Sequence, residues 1–163
     1  MGELHLEIIK DRIQNHYGVN ANMGKIFISY RTRANVPVEE EVSIIDENKQ
    51  TTTIKIRMEP AEKGSGNSLE YQTLHSLIPK QKVAEVKAIL LEGFKSSCSR
   101  GIYGYSTEDT IVEIQDIQFM GDINVVSLRK GIARAISNAL LKSKANVLEP
   151  VMKVEVRVSY CLM

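Results

Sequence analysis

The segment Thr51 to Glu59 constrains the fold most, because apolar and charged residues alternate along it. Apolar Ile54, Ile56 and Met58 are each followed by a charged residue. Successive side chains of a β-strand point to opposite faces of a sheet, so this strand is expected to bury one face and to expose the other. A sheet with one solvated face is typical of an α+β fold, whereas the strands of a doubly wound sheet are apolar on both faces.

Three segments have apolar residues spaced three and four positions apart, which is typical of helices that bury one face. The first predicted helix is Glu3 to Tyr17, and Gly18 is well placed to end it. The second begins near Pro79, a residue suited to the first turn of a helix. The third runs from about Val125 to Lys144 and has the clearest apolar stripe. That stripe consists of Leu128, Ile132, Ile136 and Leu140.

Four more segments are predicted as strands from shorter alternating patterns. They are Ile26 to Arg31, Val42 to Ile45, Ile111 to Phe119 and Val151 to Val158. In the third of these, the alternation slips near Gln115-Asp116, which indicates a β-bulge. The order of helices and strands predicts an α+β sandwich in which two helices cover one face of a small sheet.

The composition is that of an ordinary globular domain, and its bulk charge indicates no partner. Of 163 residues, 43% are hydrophobic and 25% are charged, and the formal net charge is +1. Any nucleic-acid surface must therefore come from local clustering. Cys98 and Cys161 are the only cysteines, and two thiols so far apart are expected to be reduced, with no disulfide and no zinc site. No apolar run approaches the ~20 residues of a membrane span, so no membrane partner is expected.

No pattern in the chain indicates a catalytic site or a metal site. The histidines His5, His16 and His75 lack the neighbouring ligands or nucleophiles that metal binding and catalysis need. The segment Lys63-Gly64-Ser65-Gly66 lacks the Gly-Lys-Ser/Thr ending of a phosphate-binding loop and follows a strand that stops at Pro60. We therefore expect a plain loop there, and no catalytic residue, metal or cofactor in this chain.

The third predicted helix carries charges of one sign only. From Ile123 to Leu148 there is no acidic residue, and the basic residues are Arg129, Lys130, Arg134, Lys142 and Lys144. Two interpretations stay open at this point. A basic face opposite an apolar stripe can dock on a phosphate backbone, or it can be a solvated face whose cations suit a helix C-terminus. The acidic run Glu39 to Glu41 restricts any RNA contact to one side of the domain.

The order and spacing of these motifs resemble elongation factor G, a ribosomal translocation GTPase. Gly2 to Ile13 resembles the last helix of that family's third domain, and Leu148 to Val156 resembles the start of its fifth domain. Between them, three motifs resemble strands and a helix start of the fourth domain. These motifs are Ser29-Tyr30-Arg31-Thr32, Ile54 to Pro60, and Leu77-Ile78-Pro79-Lys80.

The resemblance implies a division into domains, a fold and a parent protein. Residues 1–23 would form the helix that ends the third domain, residues 24–149 the ribosome-contacting fourth domain, and residues 150–163 the start of the fifth. The fourth domain of the family shares its fold with part of ribosomal protein S5, including a left-handed β-α-β crossover. GTP and Mg²⁺ would bind a G domain of the parent protein outside this sequence, so the segment itself would not be an enzyme.

In the family, two loops at the far tip of the fourth domain reach the decoding region and touch messenger and transfer RNA. The first usually reads Gly-Gly-x-Gly-Gln-Tyr, and the second usually contains Tyr-His-x-Val-Asp-Ser. Here the first loop has no glycine and the second has no histidine. The resemblance places these loops at Asp46, Glu47, Asn48, Lys49 and Gln50, and at Gly121, Asp122, Ile123 and Asn124. On the neighbouring helix, Arg129, Lys130 and Arg134 are predicted to face ribosomal RNA.

The altered tip loops favour a particular branch of the family, because a translocase needs a tip that holds the codon–anticodon duplex. The mitochondrial ribosome-recycling branch splits ribosomal subunits after termination, together with a recycling-factor protein, and does not need translocation. We therefore predict ribosome recycling in the mitochondrial matrix, with the ribosome and the recycling factor as partners. The alternative is the fourth domain of a mitochondrial or bacterial-type translocase, in the matrix or the cytoplasm, that contacts tRNA and mRNA during elongation.

Overall fold

The computed structural model describes residues 3–25, 27–72, 78–79, 81–151 and 153–155. Within these ranges the α-helices are α1 (Glu3–Asp11), α2 (Val83–Arg100) and α3 (Val125–Lys142). The strands are β1 (Arg31–Arg33), β2 (Val38–Ile45), β3 (Thr51–Pro60), β4 (Ser68–Tyr71), β5 (Ser106–Thr107), β6 (Thr110–Met120) and β7 (Asn146–Leu148). The predicted α+β class is confirmed.

Two helices and four strands form the main body of the domain. Its sheet, the main sheet, has the strand order β2-β3-β6-β4, in which β2, β3 and β6 are antiparallel neighbours and β4 is parallel to β6. The apolar faces of α2 and α3 form one core with one face of this sheet, as predicted. Because α2 lies between β4 and β6 in the chain, the structure has the β-α-β unit that the resemblance implies. The hand of that unit stays a prediction.

The core lies between the main sheet and the two helices. The inward residues of β3, Ile54, Ile56 and Met58, are fully buried, which confirms the alternation predicted for this strand. All four residues of the apolar stripe of α3 are buried as well. The helix can approach β3 closely because Gly131 lies at the contact, where a Cβ atom would be 2.8 Å from Cδ1 of Ile54. A larger residue at this position would push α3 away from the sheet.

β6 contains the predicted bulge. Asp116 pairs with Lys55 and Ile114 pairs with Ile56, so Gln115 has no residue opposite it. This extra residue shifts the phase of the alternation, and Ile114 and Ile117 are both buried although they are three positions apart. The bulge therefore keeps both halves of the longest strand packed against the core.

A second sheet, with the strand order β5-β1-β7, lies outside the predicted pattern. Its strands have only two or three residues each, which is too few to show alternation. β5 lies in the connection between α2 and β6. The hydroxyl oxygens of Thr32 in β1 and Thr107 in β5 lie 3.2 Å apart, and both residues are buried. β4, at the edge of the main sheet, is too short to be predicted for the same reason.

One predicted strand is wrong in position, and the described part of another is not in a strand. The strand predicted for Ile26 to Arg31 is replaced by β1, since residues 27–30 are not in a strand and residue 26 lies outside the described residues. In the segment Val151 to Val158, residues 151 and 153–155 are not in a strand, and residues 152 and 156–158 lie outside the described residues. An alternating pattern forms a strand only where a neighbour takes up its backbone hydrogen bonds, and Val151 is 96% exposed.

The helix ends also differ from the predicted ones. α2 begins at Val83 rather than near Pro79, because the carbonyl of Pro79 accepts the N–H of Lys82 at 2.8 Å and closes a separate turn. α1 ends early and continues as a π-helical turn over Arg12–His16. Gly18, with a φ of 64°, follows this turn, as predicted for the end of the first helical segment.

Candidate nucleic-acid interface

The two predicted tip loops lie side by side in the structure. The first is the turn between β2 and β3, and the second connects β6 to α3. Nδ2 of Asn124 donates a hydrogen bond to Oδ2 of Asp46 at 3.1 Å. Gly121 faces Gln50, since a Cβ atom at this glycine would lie 2.8 Å from the Gln50 side chain. Residues 46–50 and 121–124 thus form one end of the domain, which we name the tip.

Asp46 shapes the first tip loop. Its Oδ1 accepts the backbone N–H groups of Asn48 and Gln50, each at 2.9 Å. The bond from Gln50, with those from Asn124 and Asn48, holds the pKa of Asp46 below its ordinary value. Lys49 has a φ of 61°, in the left-handed region that glycine favours. The loop therefore makes a tight turn without the glycines that are usual in the family.

Asn124 caps α3 and occupies donors that could otherwise bind a phosphate. Its Oδ1 accepts the backbone N–H of Val126 at 2.9 Å and that of Ser127 at 3.2 Å. Phosphate binding at a helix N-terminus uses such N–H groups, and here the cap already satisfies two of them. The sequence analysis placed Asn124 in the tip but missed this role, although asparagine just before an apolar stripe is a signal for an N-cap.

The surface of the tip is acidic and apolar. Glu47, Lys49 and Asp122 are exposed, so carboxylates outnumber cations there. Ile45 and Met120, at the ends of the two strands that lead into the tip, are 69% and 75% exposed, and Val126 in the first turn of α3 is 58% exposed. A cleft of about 320 Å³ separates the first tip loop from the start of α3. Exposed carboxylates at this place repel a phosphate backbone.

The predicted RNA-facing residues of α3 differ in whether they form an ion pair within the domain. Arg129 is engaged within the domain, because its Nη2 lies 2.7 Å from Oε2 of Glu92 on α2. Lys130 and Arg134 are exposed, and neither forms an ion pair with another described residue. They are four positions apart and therefore lie on one side of the helix. Two of the three predicted cations are thus available to a ligand.

Glu40 is a buried acid that holds the C-terminal half of α3 against the sheet. It is 7% exposed and lies in β2, which begins at Val38 and is longer than the predicted Val42 to Ile45. Oε2 of Glu40 lies 2.5 Å from Nζ of Lys142, and Asn138 donates to Oε1 at 3.0 Å. Burial opposes ionisation of this carboxyl, but the two donors outweigh burial and keep the pKa of Glu40 below its ordinary value.

Glu40 was not among the predicted site residues, although the sequence contains a signal for its burial. Val38, Glu40 and Val42 are two positions apart, so a strand that buries the valines also buries the glutamate between them. We interpreted Glu39 to Glu41 as one acidic run instead, and the structure divides that run between the two faces of β2. The cation that pairs with Glu40, Lys142, is one of the four basic residues of α3.

The other reactive side chains of the described residues form no catalytic arrangement. Within the ranges given above, no group of three His, Cys, Asp or Glu side chains is placed to hold a metal ion. Cys98 is buried, and burial raises the pKa of its thiol to about 12, so it is not a nucleophile near neutral pH. His75 and Cys161 lie outside the described residues. None of the described helices is both long and apolar enough to cross a membrane.

The fold and the tip define an α+β domain in which two adjoining loops and a one-sided basic helix form an exposed end. The family model for elongation factor G, domain IV, matches residues 13–144. Because this match covers most of the 163 residues, the chain belongs to the elongation factor G domain IV family. The family resemblance seen in the sequence is thereby confirmed, and the exact domain boundaries stay predictions.

A crystal structure of a protein from Thermus thermophilus has a similar fold. The superposition has a TM-score of 0.64 at 19% sequence identity and covers 90% of this chain. At that identity, the likeness is evidence for the fold alone. The chain spans 22% of the length of the Thermus protein.

Proposed function

We propose that this chain is a ribosome-binding domain of a translational GTPase and that the outward side of α3 docks on ribosomal RNA. The observation that carries the proposal is the pair of exposed cations, Lys130 and Arg134, which have no ionic partner among the described residues. Membership of the elongation factor G domain IV family supplies the ribosome as the partner. The parent protein would bind GTP and Mg²⁺ in a separate G domain.

The chemistry of this helix side suits a phosphate backbone. Arg134 offers a planar guanidinium that can bind a phosphate through two N–H groups, and Lys130 adds a compact charge one turn away. On the adjacent helix, Lys95 and Arg100 are also exposed. Glu92, which lies between the two helices, is neutralised by Arg129. The helix layer therefore presents a positive surface although the net charge of the chain is only +1.

Replacement of both free cations tests this proposal. We expect the variant Lys130→Ala/Arg134→Ala to bind ribosomes more weakly, and the slope of log K against log salt concentration to fall by about one for each cation lost. The measurement is fluorescence anisotropy of the labelled chain with purified ribosomes across a KCl titration. The matched control is Lys25→Ala/Lys63→Ala, which removes two exposed lysines away from α3.

The control variant keeps the same net charge as the test variant, so a loss of general electrostatic attraction affects both equally. An equal salt slope for the two variants would overturn the assignment of the RNA contact to α3. Binding that neither variant weakens would overturn the proposed docking surface itself. Far-UV circular dichroism of both variants separates these outcomes from unfolding.

We further propose that the parent protein recycles ribosomes rather than translocating them, and that it acts in the mitochondrial matrix with a recycling-factor protein. The support comes from the tip, where Glu47 and Asp122 are exposed and the first loop has no glycine. A tip that must hold a codon–anticodon duplex needs close approach to RNA, which these carboxylates oppose. The family's translocase activity is the competing assignment.

A reconstituted assay separates recycling from translocation. We expect the full-length protein that carries this domain to split post-termination ribosomes in the presence of GTP and a recycling factor, and not to move tRNA and mRNA. Subunit splitting is followed by light scattering, and movement of the mRNA by toe-printing on the same ribosomes. Translocation without splitting would refute the recycling assignment, while the ribosome-docking proposal for α3 would still stand.

A further inference from the structure

We propose that the tip binds a basic segment of a protein that carries an apolar side chain, rather than the phosphate backbone of an RNA. The site is an exposed and largely apolar row at the end of the main sheet, formed by Ile45, Thr51 and Met120 and here named the apolar row. This inference concerns a different surface from the basic side of α3 and does not depend on the proposed function.

The apolar row is continuous across three strands. Thr51 of β3 pairs with Ile45 on one side and with Met120 on the other, so the three side chains are neighbours on one face. This is the face of the main sheet that the helices do not cover, here named the open face. Single exposed apolar residues are common, but a contiguous exposed group of this kind indicates a binding surface.

The charge around the apolar row selects a basic partner. Among the described residues of the open face, Lys55 and Arg57 are the basic residues, and both are already paired with acids on the same face. The acidic residues of this face are Glu39, Glu41, Glu59, Glu70, Glu113 and Asp116. At the tip itself, the exposed carboxylates of Glu47 and Asp122 outnumber the exposed cation Lys49, so the tip adds to the negative charge. A phosphate backbone is repelled by this surface, whereas lysine and arginine side chains are attracted to it.

The spacing along the strands defines the ligand further. Glu41 and Asp116 both pair with Lys55, four residues from Thr51 along β3. At about 3.3 Å per residue, this acidic row lies about 13 Å from the apolar row. An extended segment that places an apolar side chain and a lysine or arginine about four residues apart can contact both rows at once. Lys130 lines the α3 side of the cleft and remains available to RNA.

A titration with three probes followed by NMR tests the proposal. The probes are a peptide of alternating lysine and leucine, a peptide of alternating lysine and serine, and a ten-nucleotide oligouridine. We expect the lysine–leucine peptide to shift the amide signals of residues 45–48 and 120–124 in the labelled chain. The lysine–serine peptide should bind at least about fivefold more weakly, since it lacks the apolar contact. The oligouridine should not shift the amide signals of the tip.

Two variants locate the binding on the apolar row. Ile45→Thr/Met120→Gln removes the apolar contact, and we expect it to reduce affinity for the lysine–leucine peptide by about fivefold or more. The matched control is Leu141→Gln, which removes a side chain that is 59% exposed elsewhere on the surface. Because all three positions are exposed, the fold is expected to persist, and unchanged core signals in the same spectra will verify it.

Three results would overturn the inference: equal binding of the two peptides, unchanged affinity after Ile45→Thr/Met120→Gln, or tip signals shifted by oligouridine. The last result would assign the tip to RNA. Oligouridine shifts confined to α3 belong to the proposed ribosome docking and leave this inference intact. Failure of one proposal can thus be told from failure of the other.

Discussion

The tip and the outward side of α3 adjoin each other, yet their chemistry is opposite. The tip ends at Asn124, the N-cap of α3, and Lys130 begins the basic side fewer than two turns later. The core beneath both surfaces is the same layer of apolar residues. The comparison shows that one packed core can carry two adjoining surfaces that differ in charge and in candidate partner.

The cations of α3 also differ from one another, because only some of them have an ionic partner within the domain. Lys142 and Arg129 are engaged by carboxylates of the domain, whereas Lys130 and Arg134 are not. A basic helix can therefore serve the fold at one position and a ligand at another. Substitutions of single residues separate these roles.

The substitution Glu40→Gln is expected to cost about 1 to 2 kcal/mol in the free energy of unfolding. The amide cannot accept charge-assisted hydrogen bonds from both Lys142 and Asn138, and the partial exposure of Lys142 limits the loss. The same change frees Lys142, so oligouridine or ribosome affinity should rise slightly. Urea denaturation measures the free energy of unfolding. The matched control is Glu41→Gln on the exposed side of β2, which should change that free energy by less than about 0.5 kcal/mol.

The contribution of Glu40 also depends on pH in a defined direction. Since folding lowers the pKa of this carboxyl below its ordinary 4.5, its ionised form stabilises the native state fully above that value. The contribution is lost as the pH falls from about 4.5 through the lower pKa of the folded state. The difference in stability between the native sequence and Glu40→Gln should therefore narrow in acid. A difference that stays constant from pH 7 to pH 3 would contradict this.

The sequence predicted the parts of the fold in which periodicity and burial coincide. Examples are the inward residues of β3, Ile54, Ile56 and Met58, and the apolar stripe of α3. A repeating apolar spacing places the apolar side chains on one face, and that face is buried. Gln115 was predictable as a bulge because it breaks such a repeat. The strands of the second sheet are too short to contain a repeat, so no local pattern reveals them.

The site was less predictable than the core, for a physical reason. The placement of both tip loops came from the family resemblance, whereas the charge pairs depend on contacts between residues far apart in sequence. Arg129 and Glu92 are 37 positions apart, and Lys142 and Glu40 are 102 apart. A count of charges along α3 cannot tell which cations have partners, since the answer depends on what the fold brings beside them.

Removal of the N-cap, Asn124→Ala, is expected to cost about 1 kcal/mol. The substitution exposes two backbone N–H groups at the start of α3 and also breaks the hydrogen bond to Asp46 that joins the tip loops. Asn124→Asp is the matched control, because aspartate caps a helix equally well but cannot donate to Asp46. Thermal denaturation measures the cost for each variant.

The two variants also test whether the tip excludes phosphate. If the cap of Asn124 is what occupies the helix N-terminus, Asn124→Ala should bind oligouridine at the tip more readily than the native sequence does. Asn124→Asp should not, since it adds a negative charge at the same place. Equal stability of the alanine variant and the native sequence would show that the cap contributes nothing.

The smallest effect is expected for Arg129→Ala, and it bears most directly on the distinction between the cations of α3. Arg129 and Glu92 are both more than half exposed, so loss of their ion pair should change the free energy of unfolding by less than about 0.5 kcal/mol. Because the pair neutralises Arg129, its removal should flatten the salt dependence of ribosome binding less than Lys130→Ala does. Salt titrations of the two single variants measure both slopes. A larger change for Arg129→Ala would mean that ribosomal RNA displaces Glu92 on binding, and the basic side of α3 would then extend to all three of the predicted residues.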